Sequence, residues 1–560
     1  MGIGAARSAL VGIIFAASFG ALLSVNGAFA ELLFDTPDLA LTGRVTSSQE
    51  GAMEGVLVSA QQAGSPISVT VVTNQAGRYS FPADRLTPGN YALRIRAIGY
   101  ELDGPAAADV AAKGTVTADL ALRKVDDIAS QLTSTEWLIS MPGAEQKRPL
   151  IECMSCHTLE RVVRSKFTAD EFVGVLKRMA NYANNSTMQK VQARVAEREV
   201  PDDRARRVGE YLATVNLSKR DRWDYELKAL PRPTGAATRI IITEYDMPRG
   251  TIAPHDVRTD ADGFIWYSNF VEPYLGRLDP RTGAHAEFAY NLPKPNFPAG
   301  ALALEPDHDG NWWLALMFQG GLMKFDTRTK TFRHYPLPAE LNSDTAQQSM
   351  VMPRQSHVDG KVWTNDVNTH SILRLDLATG AYERVDPFQG MPIGANRQHS
   401  PYGMAADKDN NLYFMDFGDE SVGRVDAKTF RATIYPTPTS HSRPRRTMLD
   451  DKGRLWFAEF AANKLGMFDL DRESIKEWDA PTPHTYPYDV YLDRNGELWS
   501  GSMSNDRVLR FDPQTGKSIE YLLPRQTNIR RIFIDNTTTP VTFWAGNNHH
   551  AAILKIEPLD

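Results

Sequence analysis

Cys153-Met154-Ser155-Cys156-His157 is the stretch of this chain whose residue types and spacing most directly imply chemistry. C-x-x-C-H is the attachment pattern of c-type haem: two thiols bond the porphyrin and the adjacent histidine ligates its iron. These are the only two cysteines among 560 residues. A zinc site with four thiolates is therefore excluded. His157 is the expected proximal ligand. Met179 and Met188, downstream, are candidates for the sixth position. A thioether in that position favours reduced iron.

The start of the chain agrees with this chemistry. Arg7 precedes an apolar, small-residue run from Ala9 to Val25, followed by Ala28-Phe29-Ala30. A basic start, an apolar core and an A-x-A site have the form of a secretory signal peptide, so residues 1–30 are assigned to export. The expected location is the periplasm of a bacterium, where haem of this type is attached. No later apolar run reaches the ~20 residues of a spanning helix, and no stable membrane span is expected after cleavage. The formal net charge of -6 argues against a nucleic-acid partner. Once both thiols hold haem no disulfide remains, so the folds must rest on buried cores.

Three kinds of segment must position these groups, and the expected fold class is multidomain and mainly β. Residues 38–123 alternate apolar and polar positions between turn residues, as in Val69-Thr70-Val71-Val72 and Tyr91-Ala92-Leu93-Arg94-Ile95, which predicts a β-sandwich. Gly43-Arg44-Val45, Thr73-Asn74-Gln75-Ala76-Gly77-Arg78-Tyr79 and Pro88-Gly89-Asn90-Tyr91 resemble the carboxypeptidase regulatory-like domain. That resemblance implies a prealbumin-like sandwich with an accessory role. Residues 126–217 change to helical periodicity. Thr168-Ala169-Asp170-Glu171 is a capping box flanked by Phe167 and Phe172, a hydrophobic staple. Phe172, Leu176 and Met179 fall on one predicted face, and a second helix is predicted near 203–215. Two helices enclosing C-x-x-C-H resemble the class I cytochrome c fold. The resemblance implies covalently bound haem c, held by Cys153, Cys156 and His157, with Met179 preferred over Met188 as the second axial ligand.

Residues 218–237, with Leu230-Pro231-Arg232-Pro233, read as a linker. Residues 238–560 repeat. An aromatic recurs at Trp266, Trp313, Trp363, Tyr413, Trp456, Trp499 and Trp544, spaced 43 to 50 residues apart. Seven copies of this period with short strands predict a seven-bladed β-propeller. The last copy lacks an outer strand, and an orphan strand at 239–246 is expected to pair with it and close the ring. Pro254-His255-Asp256-Val257, Pro401-Tyr402-Gly403-Met404 and the stretch from Leu455 to Gly466 resemble the virginiamycin B (streptogramin) lyase family. That resemblance implies magnesium held by a Glu-x-His pair and a later acid. No Glu-x-His occurs in the propeller.

Function in a propeller gathers at one mouth of the channel. The positions entering the innermost strands carry His255, Tyr402, Arg445, Tyr488 and Arg530. The positions leaving the second strands carry Asn269, Asn365, Asp366, Asp416, Glu459 and His549. From these, His255, Tyr402, Arg445, Glu459 and Tyr488 are the candidate catalytic groups. His285, His308 and His334 are expected at the surface. The main expectation is a haem protein coupling a ligand-binding propeller to periplasmic electron transfer, with a dehydrogenase among its forms. The partner would be a small molecule or a redox protein. The alternatives are a magnesium-dependent lyase and a non-enzymatic electron relay. Pyrroloquinoline quinone is not supported, because no cysteines remain for the vicinal disulfide often found with it.

Overall fold

The computed structural model describes residues 38–392 and 399–559. The export signal assigned to residues 1–30 lies outside them. Mainly β architecture is observed, with a sandwich-like N-terminal region and a C-terminal series of four-stranded sheets.

Six antiparallel four-stranded sheets follow one another from Pro254 to Leu522. A seventh is made by Ile529–Asp535, Thr542–Asn547, Ala552–Pro558 and the orphan strand Ile240–Asp246. That orphan pairs antiparallel with the last strand, Ile240 opposite Pro558 and Asp246 opposite Ala552, as the repeat predicts. The reason for the repeating Asp and Trp is visible in the hydrogen bonds. The indole N–H of Trp266, Trp313, Trp456 and Trp499 donates to the aspartate six residues earlier, at 2.7, 3.1, 3.0 and 2.9 Å. Each aspartate also accepts backbone N–H groups of the turn, so one carboxylate fixes both the turn and the core aromatic.

Closure does not leave the orphan strand's outer edge free. Ile241–Tyr245 also pair antiparallel with Ile67–Val71 of the N-terminal region. Blade seven and one sheet of the sandwich are therefore a single eight-stranded sheet. An edge strand with unpaired N–H and C=O groups templates association, and here the N-terminal region covers it. The stretch 218–237 is not a free linker either. Leu230 N–H donates to Glu136, Arg232 pairs with Glu50, and Gly235 N–H donates to Glu54.

The helical segment contains Ser134–Ser140, Leu150–Cys153, Glu160–Val163, Ala169–Ala180 and Asp202–Val215. The Thr168 capping box forms, and the Phe167 and Phe172 rings meet edge-on at 5.6 Å. The segment does not stand apart. Its core residues Trp137, Leu138, Met154, Leu159 and Phe172 are continuous with Phe270, Tyr402, Phe460, Tyr488 and Met503 of the propeller.

Candidate functional site at the propeller mouth

In four blades the innermost strand begins with a register shift: between Pro254 and Val257, Pro401 and Met404, Pro444 and Thr447, and Ile529 and Ile532. A bulge sets two residues against one and re-aims their side chains. The pairs so displaced are His255-Asp256, Tyr402-Gly403, Arg445-Arg446 and Arg530-Arg531. Tyr488-Asp489 occupies the corresponding place in blade six. Gly403 is required by close approach: a Cβ there would lie 2.0 Å from the Arg445 carbonyl oxygen.

The first members of these pairs meet. The hydroxyls of Tyr402 and Tyr488 are hydrogen bonded. Tyr488 Oη lies 3.4 Å from His255 Nε2, and His255 Nδ1 lies 2.8 Å from Asp256. Asp256 pairs with Arg446 at 3.3 Å. All five groups are buried. Burial pushes His255 down to about 3, despite the Asp256 carboxylate, so its imidazole is neutral. Burial also raises Tyr402. For Tyr488 burial acts upward too, but Arg445, Arg446 and Arg530 outweigh it and the net shift is downward. Two second members also pair, Arg531 with Asp489 at 3.3 Å, and Glu305 from the neighbouring blade extends this ion-pair layer to Arg258 at 2.7 Å and Arg531 at 3.0 Å. Arg446, Asp489 and Arg531 are not among the residues singled out from sequence, and Asp256 enters there only within the Pro254–Val257 motif. Their signal was adjacency to each aligned mouth position.

Glu459 does not join this group. It sits fully buried at the end of Arg454–Glu459, near Ser442, Glu477 and Lys464. Burial, reinforced by Glu477, pushes its carboxyl up to about 8. Four other exit residues hold loops. Asn269 accepts from Val271 and Glu272 N–H, Asn365 from Ser349 and Met350 N–H, Asp366 from Gln347 N–H, and Asp416 from Ser400 N–H. His285 and His334, expected at the surface, are half-buried, with both ring nitrogens of His285 and Nε2 of His334 shielded from solvent; His308 is exposed. His285 and His334 lie on strands Ala284–Ala289 and Thr331–Pro336, and the Tyr267 ring stands edge-on to His285 at 6.2 Å. Among the described residues, Asp419, Glu420 and His441 form one group with donor atoms within 4.8 Å of one another. A crevice of about 530 Å³ beside residues 229–234 also gathers acids. Its Glu50, Glu54 and Glu136 are already engaged with Arg232 and with backbone N–H groups.

The C-x-x-C-H turn lies directly on the mouth. Cys153 closes the helix Leu150–Cys153, and its carbonyl accepts from the N–H groups of Cys156 and His157. Both thiols are free and half-buried. Burial pushes Cys153 up to about 12 and raises Cys156. Neither is the thiolate that a redox C-x-x-C nucleophile needs. His157 Nδ1 lies 2.9 Å from the Thr158 carbonyl. A carbonyl only accepts, so Nδ1 carries the proton and Nε2 keeps its lone pair. Two thiols and an imidazole with a free Nε2 on one turn fit the demands of a c-type haem. Met179 is 38% and Met188 50% exposed, so neither serves as core packing.

The turn's own carbonyls bind propeller side chains. Met154 O accepts from Asn528 Nδ2 at 3.1 Å and from His549 Nε2 at 3.2 Å. Ser155 O accepts from Arg530 Nη2 at 2.6 Å.

The fold and mouth define a lyase-like β-propeller joined to a regulatory-type sandwich. Residues 386–559 match the virginiamycin B lyase family, and residues 40–123 match the carboxypeptidase regulatory-like domain. No curated protein matches the chain. Among solved structures, a streptogramin B lyase is 22% identical, with 58% of this chain and 100% of that chain covered and a TM-score of 0.50. Virginiamycin B lyase from Staphylococcus aureus is 20% identical, covering 57% and 99%, with a TM-score of 0.48. The likeness to the streptogramin B lyase is one of propeller fold. Among the described residues no helix is long and apolar enough to cross a membrane.

Proposed function

We propose that this chain is an exported c-type haem protein of the periplasm, in which a cytochrome c-like helical segment is seated on the mouth of a lyase-like propeller for electron transfer. One observation carries the reading: propeller side chains Asn528, Arg530 and His549 bind the carbonyls inside the C-x-x-C-H turn itself. Cys153 and Cys156 would hold the haem, His157 would ligate it through Nε2, and Met179, or alternatively Met188, would complete the axial set. The haem supplies one-electron chemistry. The protein supports it in three ways. The Thr158 carbonyl holds the His157 tautomer and raises the basicity of Nε2. The apolar cluster shared by helices and propeller takes in Met154 and packs against Cys153, which lowers the polarity on one side of the turn. The buried Arg530 guanidinium beside Cys156 disfavours added positive charge and so favours the reduced state. The partner is a small molecule at the mouth or a redox protein.

The test is production in a host competent for cytochrome c maturation, with an absorption spectrum of the purified protein. Bound haem should survive acid–acetone extraction and be lost in Cys153→Ser and Cys156→Ser. A colourless wild-type protein from that host overturns the reading.

A second reading is a magnesium-dependent lyase acting on streptogramin-type substrates. It is supported by the propeller fold and by the Asp419, Glu420 and His441 group. Magnesium-dependent ring opening of a streptogramin B, lost in His441→Ala, would decide for it.

A further inference from the structure

Arg445 and Arg530 are two guanidiniums beneath the C-x-x-C-H turn for which no carboxylate lies within ion-pair distance among the described residues. Five arginines of the bulge layer (258, 445, 446, 530 and 531) face three carboxylates, Asp256, Glu305 and Asp489. Those three are taken by Arg258, Arg446 and Arg531. Arg530 is 4% exposed and spends its donors on Asn528 Oδ1 and Ser155 O, with its guanidinium carbon 4.7 Å from the Phe270 ring centroid. Among the described residues Arg445 has one polar contact, a weak one to Met503 Sδ at 3.6 Å, and its buried Nε has no partner. Its guanidinium carbon stands 3.8 Å from the Tyr488 centroid and 4.4 Å from those of Phe417 and Phe460.

Aromatic faces attract a guanidinium but do not neutralise it. A buried cation without an anion is costly, and proteins retain one where a ligand repays the cost. Arg445 is only partly buried, as are Phe417, Cys153, Cys156 and His157. Partly exposed groups thus lie on both the mouth and the turn. Arginine's planar fork matches a carboxylate bidentately, and the surrounding rings suit an apolar or aromatic body attached to it.

We propose that Arg445, supported by the charge of Arg530, is the seat for the carboxylate of an apolar-bodied anion held between the propeller mouth and the C-x-x-C-H turn. Two sources share this chemistry: a carboxylate of the covalently attached porphyrin, or a free aromatic or aliphatic carboxylate.

Benzoate is the probe, titrated calorimetrically into the full chain with haem and into Cys153→Ser/Cys156→Ser without it. Stoichiometric binding to both forms supports the seat and identifies a free carboxylate as its ligand. Binding only to the haem-free form supports the seat and identifies the porphyrin carboxylate. In that case Arg445→Met should also lower the reduction potential of the haem form. In either case Arg445→Met should weaken benzoate at least tenfold, and Arg445→Lys should recover part of the loss, with circular dichroism confirming the fold of both. Absence of saturable binding to both forms overturns the proposal, as does binding unchanged in a folded Arg445→Met. A wild-type protein that carries no haem still reports on the seat, so failure of the haem reading is distinguishable from failure of this one.

Discussion

Arg530 Nη2 donates to the carbonyl of Ser155 at 2.6 Å, joining residues 375 positions apart. One partner enters the innermost strand of blade seven, and the other stands between the two cysteines. The contact makes the position of the C-x-x-C-H turn a property of the propeller, and its loss should be measurable. Charge-assisted hydrogen bonds contribute about 1.5–3 kcal/mol. Arg530→Met should lower unfolding free energy by about that amount in chemical denaturation. It should also increase proteolysis within 145–165. Because the variant also removes a buried cation, the protease readout decides: unchanged cleavage within 145–165 would refute the docking contact.

The repeat aspartates carry a second expectation. Asp493 accepts from the Trp499 indole at 2.9 Å and from the N–H groups of Asn495 and Glu497. Asp493→Ala strands a buried indole N–H, at a cost of about 1–3 kcal/mol. Thermal unfolding should show it, with Asp279→Ala, whose bonds are at an exposed turn, much milder.

Glu459 makes stability depend on pH. Its folded value is raised to about 8 by burial and Glu477, against about 4.3 in an unfolded chain. The folded state then holds a proton the unfolded state has released. This contribution is fully present below the unfolded value and is lost as pH rises toward about 8. Glu459→Gln should flatten the decline of unfolding free energy between pH 5 and 8. An unaltered slope would show that Glu459 is ionised throughout.

Tyr488 should ionise below the ordinary tyrosine range, because Arg445, Arg446 and Arg530 outweigh its burial. Ultraviolet titration of phenolate absorbance should show one early phase that Tyr488→Phe removes. Tyr402→Phe should shift that phase, because the two hydroxyls share a hydrogen bond. An identical titration curve for Tyr488→Phe would refute the assignment.

Removing residues 38–123 should expose the edge of Ile240–Asp246, including Ile241, which packs in the sandwich core. Light scattering should then report association where the full chain is monodisperse. A monodisperse truncated protein would show that the edge is protected by other means.

Much of the architecture was legible because it is local or periodic. Asp260 to Trp266, Asp450 to Trp456 and Asp493 to Trp499 repeat because each turn solves the same hydrogen-bonding problem with the same two residues. The Thr168 capping box needs only a three-residue spacing. The mouth positions His255, Tyr402, Arg445 and Tyr488 follow from alignment of the repeats. Glu459 was misplaced with them, because alignment places its position on the blade but not the direction of its side chain. The continuous sheet of blade seven and sandwich was not legible, since pairing of Ile241 with Val71 leaves no mark in either strand's alternation.

Sequence alone determined the seven repeats, the strand that closes them and the single C-x-x-C-H turn, all of which depend on neighbours a few residues away or on a fixed period. Tertiary structure alone decided that this turn rests on Asn528, Arg530 and His549, and that Arg445 lies among aromatic rings with no carboxylate of the described residues in ion-pair distance. Those relations join residues hundreds of positions apart, and they are set by which surfaces pack together rather than by any spacing along the chain.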